Sequence, residues 1–489
     1  MDLTGGRIPL DGAAGAAGSS GTATALATTG SDVVVSTAAP PVAGQSLIAD
    51  SPTSASWQDI GIQVFSPEAY GAQGDGVQLW FGAITAGSKT FTCSMANFTT
   101  ADIGKVIEIE KAGTSSAPFK TTIASINSTT SVELTDAAIT TVTGVWSPTG
   151  LTVNYVAGYG HEPTAYYGTD DTSAIQDCLD AIVAALRDDR TKFAIMQFKN
   201  RIYILDGALQ DTSHSNSQLW LKDDSLGYNV FDKTTIEFRG GLPPNQSHNN
   251  GNSASKTPAF GTVLKCTLNS GSGGAVFRTN GLSSGGFNFH RAFIRITNLT
   301  LRMPANPVLS GFDLRKSVSA EVLGCIFDTG SDKTHTIDQP TTSTSYALRM
   351  PGIDNGVRSK VDVAIIGFYN GLEASEHCHG DAAMVACYNA LVLNEIRLSA
   401  LFGKITIHSC TNGVVVSQTG GTYSQICIFE IQQLTIEHHG SMNPESWQMN
   451  SYDVKDAGNY GHGKITYAVV FRTAFTKSGG SSITCTELY

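Results

Sequence analysis

The sequence is poor in charge, and what charge it has does not run to the basic side. Only 15% of its residues are Asp, Glu, Lys or Arg, against about a quarter in ordinary globular chains. Acidic residues outnumber basic ones, 42 to 31, for a formal charge of −11. A surface of that sign repels nucleic acid and anionic lipid, so neither is expected as a partner. No apolar run approaches the length of a membrane span, so membrane insertion is not expected either. The nine cysteines are odd in number and contain no C-x-x-C pair. That pattern is not a disulfide framework and fits buried thiols in a protein made in a reducing cytosol. The first residues lack the basic stretch and apolar core of a signal peptide, so secretion is not expected. Also missing are the P-loop, the G-x-S-x-G elbow, the H-E-x-x-H helix and a dinucleotide fingerprint in its strand–turn–helix setting. No cofactor and no metal is therefore expected.

Glycine is plentiful, at 51 residues, and serine and threonine are frequent, a mix that suits a β-rich fibre or solenoid. One split stretch organises the rest. Its first half, Val64-Phe-Ser-Pro-Glu-Ala-Tyr-Gly-Ala-Gln-Gly-Asp-Gly76, reads as a short strand entering a glycine turn. Gly71, Gly74 and Gly76 are expected to supply positive φ there. The second half, Gly168-Thr-Asp-Asp-Thr-Ser-Ala-Ile-Gln-Asp-Cys-Leu-Asp-Ala181, reads as a helix start. Asp170, Asp171 and Thr172 offer oxygens to the first-turn amides, and Ile175, Cys178, Leu179, Ile182 and Leu186 share one helical face.

Joined, the halves resemble the opening signature of the pectate-lyase-like right-handed β-helix superfamily, in which such a turn and helix cap the N-terminal end of the solenoid. Phage tailspikes and fibres often carry this signature with an insertion between its halves. The resemblance implies a mainly β chain: a right-handed parallel β-helix with an N-terminal capping helix, a small β-sandwich or barrel insert, and an extended N-terminal anchor.

In chain order, residues 1–30 are low-complexity Gly/Ala/Ser/Thr and bury too little to order themselves, so a partner is expected to hold them. Residues 31–60 carry Pro40, Pro41, Gly44, Gln45, Leu47 and Trp57, which resemble an oligomerisation module of phage fibres. The cap signature occupies 61–77 and 168–190. Between them, 78–167 contains Phe98-Thr-Thr-Ala-Asp-Ile-Gly-Lys105 and several alternating strands, with Ile107 and Ile109 facing one way and Glu108 and Glu110 the other. Glycan contact, packing between chains and spacing are all open as its role. Residues 191–455 are strand-like. Phe368-Tyr-Asn-Gly, Cys387-Tyr-Asn-Ala and Cys410-Thr-Asn-Gly repeat at coil spacing, which predicts a ladder of Asn370, Asn389 and Asn412 with Cys387 and Cys410 pointing inward. The period predicts roughly eleven coils. Residues 456–489 are expected to close the last one.

The densest polar cluster is Glu373-Ala-Ser-Glu-His-Cys-His-Gly-Asp381. Glu373, Glu376 and Asp381 are the candidate carboxylates for glycosidic cleavage. His377 and His379, on one side of an extended strand, are candidates for sugar contact or metal. Trp447 is a candidate stacking platform. An acidic and basic set at Asp354, Asp362 and Arg358 resembles lyase equipment, but no family ligand set aligns with it. A plain polar surface also fits these residues.

The resemblance as a whole implies a homotrimeric phage virion protein on the exterior of the particle. Residues 1–60 would engage other virion proteins, and the solenoid would recognise host surface polysaccharide. The alternative is a tailspike depolymerase that hydrolyses or eliminates that polysaccharide.

Overall fold

In the computed structural model, the described residues are the strands within 25–59, then 62–143, 164–187, 193–207, 219–221, 234–241, 261–267, 274–279, 290–304, 307–315, 317–329, 345–351, 359–374, 377–394, 400–408, 410, 412–417, 427–437, and the strands within 454–488. The chain divides into two units, Met1–Gln63 and Val64–Tyr489.

The first unit holds a four-stranded sheet of Ala25–Ala27, Asp32–Val35, Gln45–Ser51 and Ser54–Asp59. The last two strands form a hairpin in which Leu47 and Trp57, the two apolar landmarks of this module, are register partners.

The second unit is a parallel β-helix. Its long sheet stacks ten strands in chain order: Phe193–Gln197, Thr235–Arg239, His290–Thr297, Ser317–Thr329, Ser359–Ile366, Cys378–Val385, Ala400–His408, Cys427–Glu437, Gly461–Val470 and Ser482–Leu488. Each pairs in parallel with the next. A second sheet of nine strands runs from Leu219–Leu221 to Lys477–Ser478, and the strands again skip alternately between sheets. Among the described residues, eight of these ten strands fall within 191–455, where roughly eleven coils were expected, and two fall within 456–489.

Period-two alternation drives this. In Ser359–Ile366, Val361, Val363 and Ile365 are buried while Lys360 and Asp362 are exposed. Coil after coil, the inward residues merge into one core that includes Phe277, Phe312, Phe327, Phe368 and Phe402. Each buried Val, Leu, Ile or Phe contributes about 1.5–3 kcal/mol.

The asparagine ladder forms as the sequence predicts. Asn389 donates from Nδ2 to Asn370 Oδ1 at 2.8 Å, and Asn412 donates to Asn389 at 2.7 Å. Tyr369 and Tyr388 stack beside it, with ring centroids 4.7 Å apart. Cys387 and Cys410 are buried one position before each Tyr or Thr, and the Cys387 amide donates to Cys410 Sγ at 3.3 Å. Seven cysteines among the described residues are buried free thiols.

The cap helix spans Thr172–Arg187, with Ile175, Cys178, Leu179, Ile182 and Leu186 buried against the first coils. The two halves of the signature bond to each other more than they cap the helix. Asp171 accepts the amides of Gln73 (2.6 Å) and Gly74 (3.2 Å) in the glycine turn. Reciprocally, Asp75 of the turn accepts from the Thr169 amide (2.8 Å) and hydroxyl (2.9 Å). Only Asp170 serves the helix end, accepting from the Thr172 amide at 3.0 Å. Gly71 and Gly74 have φ of 104° and 53°, as expected. Gly76 differs: a Cβ there would meet the Ile202 carbonyl oxygen at 2.6 Å, so the residue is glycine for close approach rather than for positive φ.

The insert is an eight-stranded antiparallel sheet running from Val77–Leu79 to Ala165–Gly168 around its own core of Phe91, Ile107, Ile109, Val132 and Leu134. Part of its opposite face is also buried. Glu108 and Glu110 are buried against Lys265 of the solenoid, which is 0% exposed. Lys265 bonds Glu108, lies 3.8 Å from Glu110 and sits 4.8 Å over the Tyr166 ring. Lys105 of the Asp-Ile-Gly-Lys motif bridges Asp75 and Asp102, each at 2.8 Å. Lys120 pairs with Asp206 at 2.9 Å. Intrachain packing on the solenoid is thus a role of this face.

Candidate functional site

In a parallel solenoid, residues at one register position form a column along the axis, about 4.8 Å per step. Outward columns are where a long ligand would be read, so the polar columns decide what the surface can do.

On the second sheet, Arg278, Asp313, Arg349 and Glu373 are successive register partners. The charges alternate and pair. Arg278 lies 3.3 Å from Asp313, Arg315 bonds Asp313 at 2.8 Å, and Arg349 bonds Glu373. The Arg349 guanidinium also lies 4.0 Å over the Tyr346 ring. Glu373 is buried, and so is Asp313. Although burial works against it, the arginines around Asp313 hold its carboxyl well below the usual carboxylate range. This column is electrostatically saturated.

The long sheet carries a similar column at Glu237, Arg295, Glu321 and Lys360. Arg295 pairs with Glu321 at 2.6 Å, and Arg239 with Glu237 at 2.7 Å.

One place on the long sheet is different. Asp362 and Asp381 are register partners on neighbouring strands, and both are exposed. At the next strand the register shifts between Gly380 and Ala382, and both Gly403 and Lys404 come opposite Asp381. Two glycines make this bulge possible. Gly380 has φ of 125°, and a Cβ on it would meet the Val361 carbonyl oxygen at 1.9 Å. A Cβ on Gly403 would meet Asp381 Oδ1 at 2.6 Å. That same Oδ1 accepts the Lys404 amide at 2.7 Å, which fixes the carboxylate. The extra residue continues into the following coil, where Gln432 and Gln433 both face outward between buried Ile431 and Leu434.

The result is a shallow, open groove of about 580 Å³ lined by Asp381, Gly403, Lys404, Gln432 and Gln433. It presents one oriented carboxylate, one ammonium and two side-chain amides. The Lys404 ammonium meets no carboxylate among the described residues.

The candidates from the sequence therefore separate. Glu373 lies on the second sheet, paired with Arg349. Asp381 lies on the long sheet, in the groove. His377 and His379 do not share a strand face: His377 has a left-handed φ of 55° just before the strand Cys378–Val385 begins. His379 is half-buried and in register with Lys360 and Leu401. Glu376, Trp447, Asp354 and Arg358 lie outside the described residues. Among the described residues, no group of three or more His, Cys, Asp or Glu side chains converges as a metal site.

Sequence reading passed over Gly403, Lys404, Gln432 and Gln433. A signal was present in each strand. Gly403 interrupts an alternating run, and Gln-Gln places two polar residues where period two allows one, which is the mark of a bulge.

No family model and no curated protein sequence matches the chain. Among solved structures, it is similar to the tailspike protein gp49 from Pseudomonas phage LKA1, at 10% identity over 85% of this chain and 61% of that one, with a TM-score of 0.20. The tailspike gp61 of Pseudomonas phage phi297 matches at 9% identity, over 82% and 59%, with a TM-score of 0.15. The Gp54 tailspike of Acinetobacter baumannii bacteriophage AP22, solved in complex with A. baumannii capsular saccharide, matches at 9% identity, over 84% and 64%, with a TM-score of 0.16. The chain thus spans less than two thirds of the length of each of these proteins. The parallel β-helix architecture rests on the strand pairing itself.

Proposed function

We propose that the chain is a carbohydrate-recognising spike of a phage particle and that the groove at Asp381, Lys404, Gln432 and Gln433 holds its glycan. The observation that supports this reading is the polar groove, whose Lys404 ammonium meets no carboxylate among the described residues, on a solenoid whose charge columns elsewhere pair at Arg295–Glu321 and Arg349–Glu373. A fixed carboxylate accepts from sugar hydroxyls, and side-chain amides both donate and accept, so the set suits a polyhydroxyl ligand. An open groove along stacked coils suits a long chain rather than a small enclosed molecule. The resemblance of the split signature and of residues 31–60 to tailspikes and fibres supports the particle assignment. On that reading the protein is a homotrimer on the particle's exterior, anchored to other virion proteins through residues 1–60.

Binding of purified full-length protein to bacterial surface polysaccharides, measured by biolayer interferometry, tests the groove. Asp381→Ala is expected to weaken binding about tenfold, the cost of removing a charged hydrogen-bond partner. Unchanged affinity in a folded Asp381→Ala protein would sink the assignment. Light scattering is expected to give the mass of three chains, and a monomer at micromolar concentration would contradict the trimer.

A second reading has its own observation. Asp362 and Asp381 are exposed register partners, and the step between such partners, about 4.8 Å, is near the about 5–5.5 Å that retaining glycosidases use between two carboxyls. Release of reducing sugar from the bound polysaccharide, abolished by Asp362→Asn and by Asp381→Asn, would establish cleavage. Binding without any release leaves the spike non-catalytic.

A further inference from the structure

We infer that the groove selects an anionic saccharide, one that carries a carboxylate in the manner of a uronic acid, and that it fixes the direction of that chain along the solenoid axis. This deepens the glycan reading above and rests on it.

The charges follow a fixed order across neighbouring strands. Asp362 stands on Ser359–Ile366, Asp381 on Cys378–Val385, Lys404 on Ala400–His408, and Gln432 and Gln433 on Cys427–Glu437. These strands are consecutive in the sheet. Along the axis the surface therefore reads acid, acid, cation, amides. Each step is about 4.8 Å, so the acidic end and the cationic end are about 10 Å apart, the scale of two sugar residues.

The cationic end is built to take an acceptor. Asp381 stands opposite Lys404 on the neighbouring strand, yet it accepts the Lys404 amide rather than pairing with the ammonium. Glu430, on the face next to Gln432, already has a partner of its own. The ammonium brings three donors, and Gln432 and Gln433 bring two more each. A neutral hydroxyl would use one of these. A carboxylate, which only accepts, can use several at once, and hydrogen bonds to ionised groups are roughly twice as strong as neutral ones.

The acidic end is the complement. Asp362 and Asp381 accept from hydroxyls and repel a second carboxylate. Lys360, in the neighbouring column, offsets part of that repulsion but stands on the strand of Asp362, away from the groove. An acidic sugar is thus favoured over Lys404 and the glutamines and disfavoured over Asp362. A chain laid the opposite way would place its carboxylate against the two aspartates. The bulge set by Gly380 and Gly403 produces this polarity, because it adds Lys404 to the outward face at that coil.

The test uses full-length protein and capsular polysaccharides that contain uronic acid, each in native form and after chemical reduction of its carboxyl groups to alcohols. Native polymer is expected to bind about tenfold more tightly than the reduced one. Lys404→Gln should weaken native binding about tenfold and reduced binding clearly less, so that most of the difference between the two polymers disappears. Asp362→Asn should act oppositely and more weakly. It should strengthen native binding by about twofold at low salt, less at physiological salt where the screening length is about 8 Å. If native and reduced polymers bind alike, or if Lys404→Gln weakens both equally, the selectivity for acid is overturned while the glycan site stands. If neither form of any polymer binds the wild-type protein, the glycan reading itself falls.

Discussion

The junction between insert and solenoid and the groove on the long sheet are made of the same residue types, and they treat charge in opposite ways. At the junction, Lys265 is fully buried, bonded to Glu108, near Glu110 and over Tyr166. In the groove, Lys404 and Asp381 are exposed, and Asp381 spends its bond on a backbone amide. Buried charge without a partner costs several kcal/mol, so the junction must be internally complete. Exposed charge has water as its partner and can exchange it for a ligand. A saturated cluster therefore reads as architecture and an unsaturated one as a surface for binding.

The largest effect that tests this contrast is at the junction. Lys265→Met removes the buried cation that Glu108 bonds and that lies 3.8 Å from Glu110, and a loss of about 3–5 kcal/mol is expected by denaturant unfolding. A loss under about 1 kcal/mol would mean that water or rearrangement satisfies the pair and that the junction is not a lock. The asparagine ladder is next. Asn389→Ala removes the acceptor of the buried Asn412 amide and the donor to Asn370, which should cost about 1–3 kcal/mol. Ala386 sits at φ of 52° at a corner of the solenoid, where the preceding coil has Gly367 at 79°. Ala386→Gly should stabilise by up to about 1 kcal/mol, because a non-glycine residue strains the left-handed region. The smallest stability effect belongs to the groove. Lys404→Gln should stay within about 0.5 kcal/mol of wild type.

Acid sharpens the comparison in a second way. Burial and the nearby Asp75 charge push the Asp171 carboxyl up from 3.8 to about 6, despite the amides of Gln73 and Gly74. A raised carboxyl favours folding when protonated. Its contribution is complete below pH 3.8 and is lost as the pH rises through 6. Asp313 has the reverse sign: its contribution is present above pH 3.8 and is lost on further acidification. Of these two contributions, only that of Asp171 changes between pH 7 and 5. The melting temperature of Asp171→Asn should therefore vary less over that interval than that of wild type, and an unchanged slope would show that Asp171 does not titrate there.

Much of the architecture was legible because it depends on local pattern. The glycine turn, the apolar stripe of Ile175, Leu179 and Leu186, and the spacing of Asn370, Asn389 and Asn412 are all properties of short stretches. What the sequence did not disclose depends on stacking. Nothing near Glu108 says that a lysine 157 residues later would bury it. The same holds for Glu373, which looked like the neighbour of Asp381 and lies on another sheet, against Arg349. A β-helix turns a corner within a few residues, so nearness in sequence puts side chains on different faces. The groove was half-legible. Asp381 belonged to a conspicuous polar cluster, whereas Lys404 and Gln433 join it only through parallel register.

The central claim is that the unsaturated groove, rather than the paired columns, meets the ligand. The most direct measurement compares the affinity of wild type and Asp381→Ala for one bound polysaccharide, with thermal melting recorded on the same preparations. The account predicts a melting temperature lowered only slightly, from loss of the bond to the Lys404 amide, and an affinity about tenfold weaker. Equal affinity at equal stability would place the ligand elsewhere on the solenoid and contradict it.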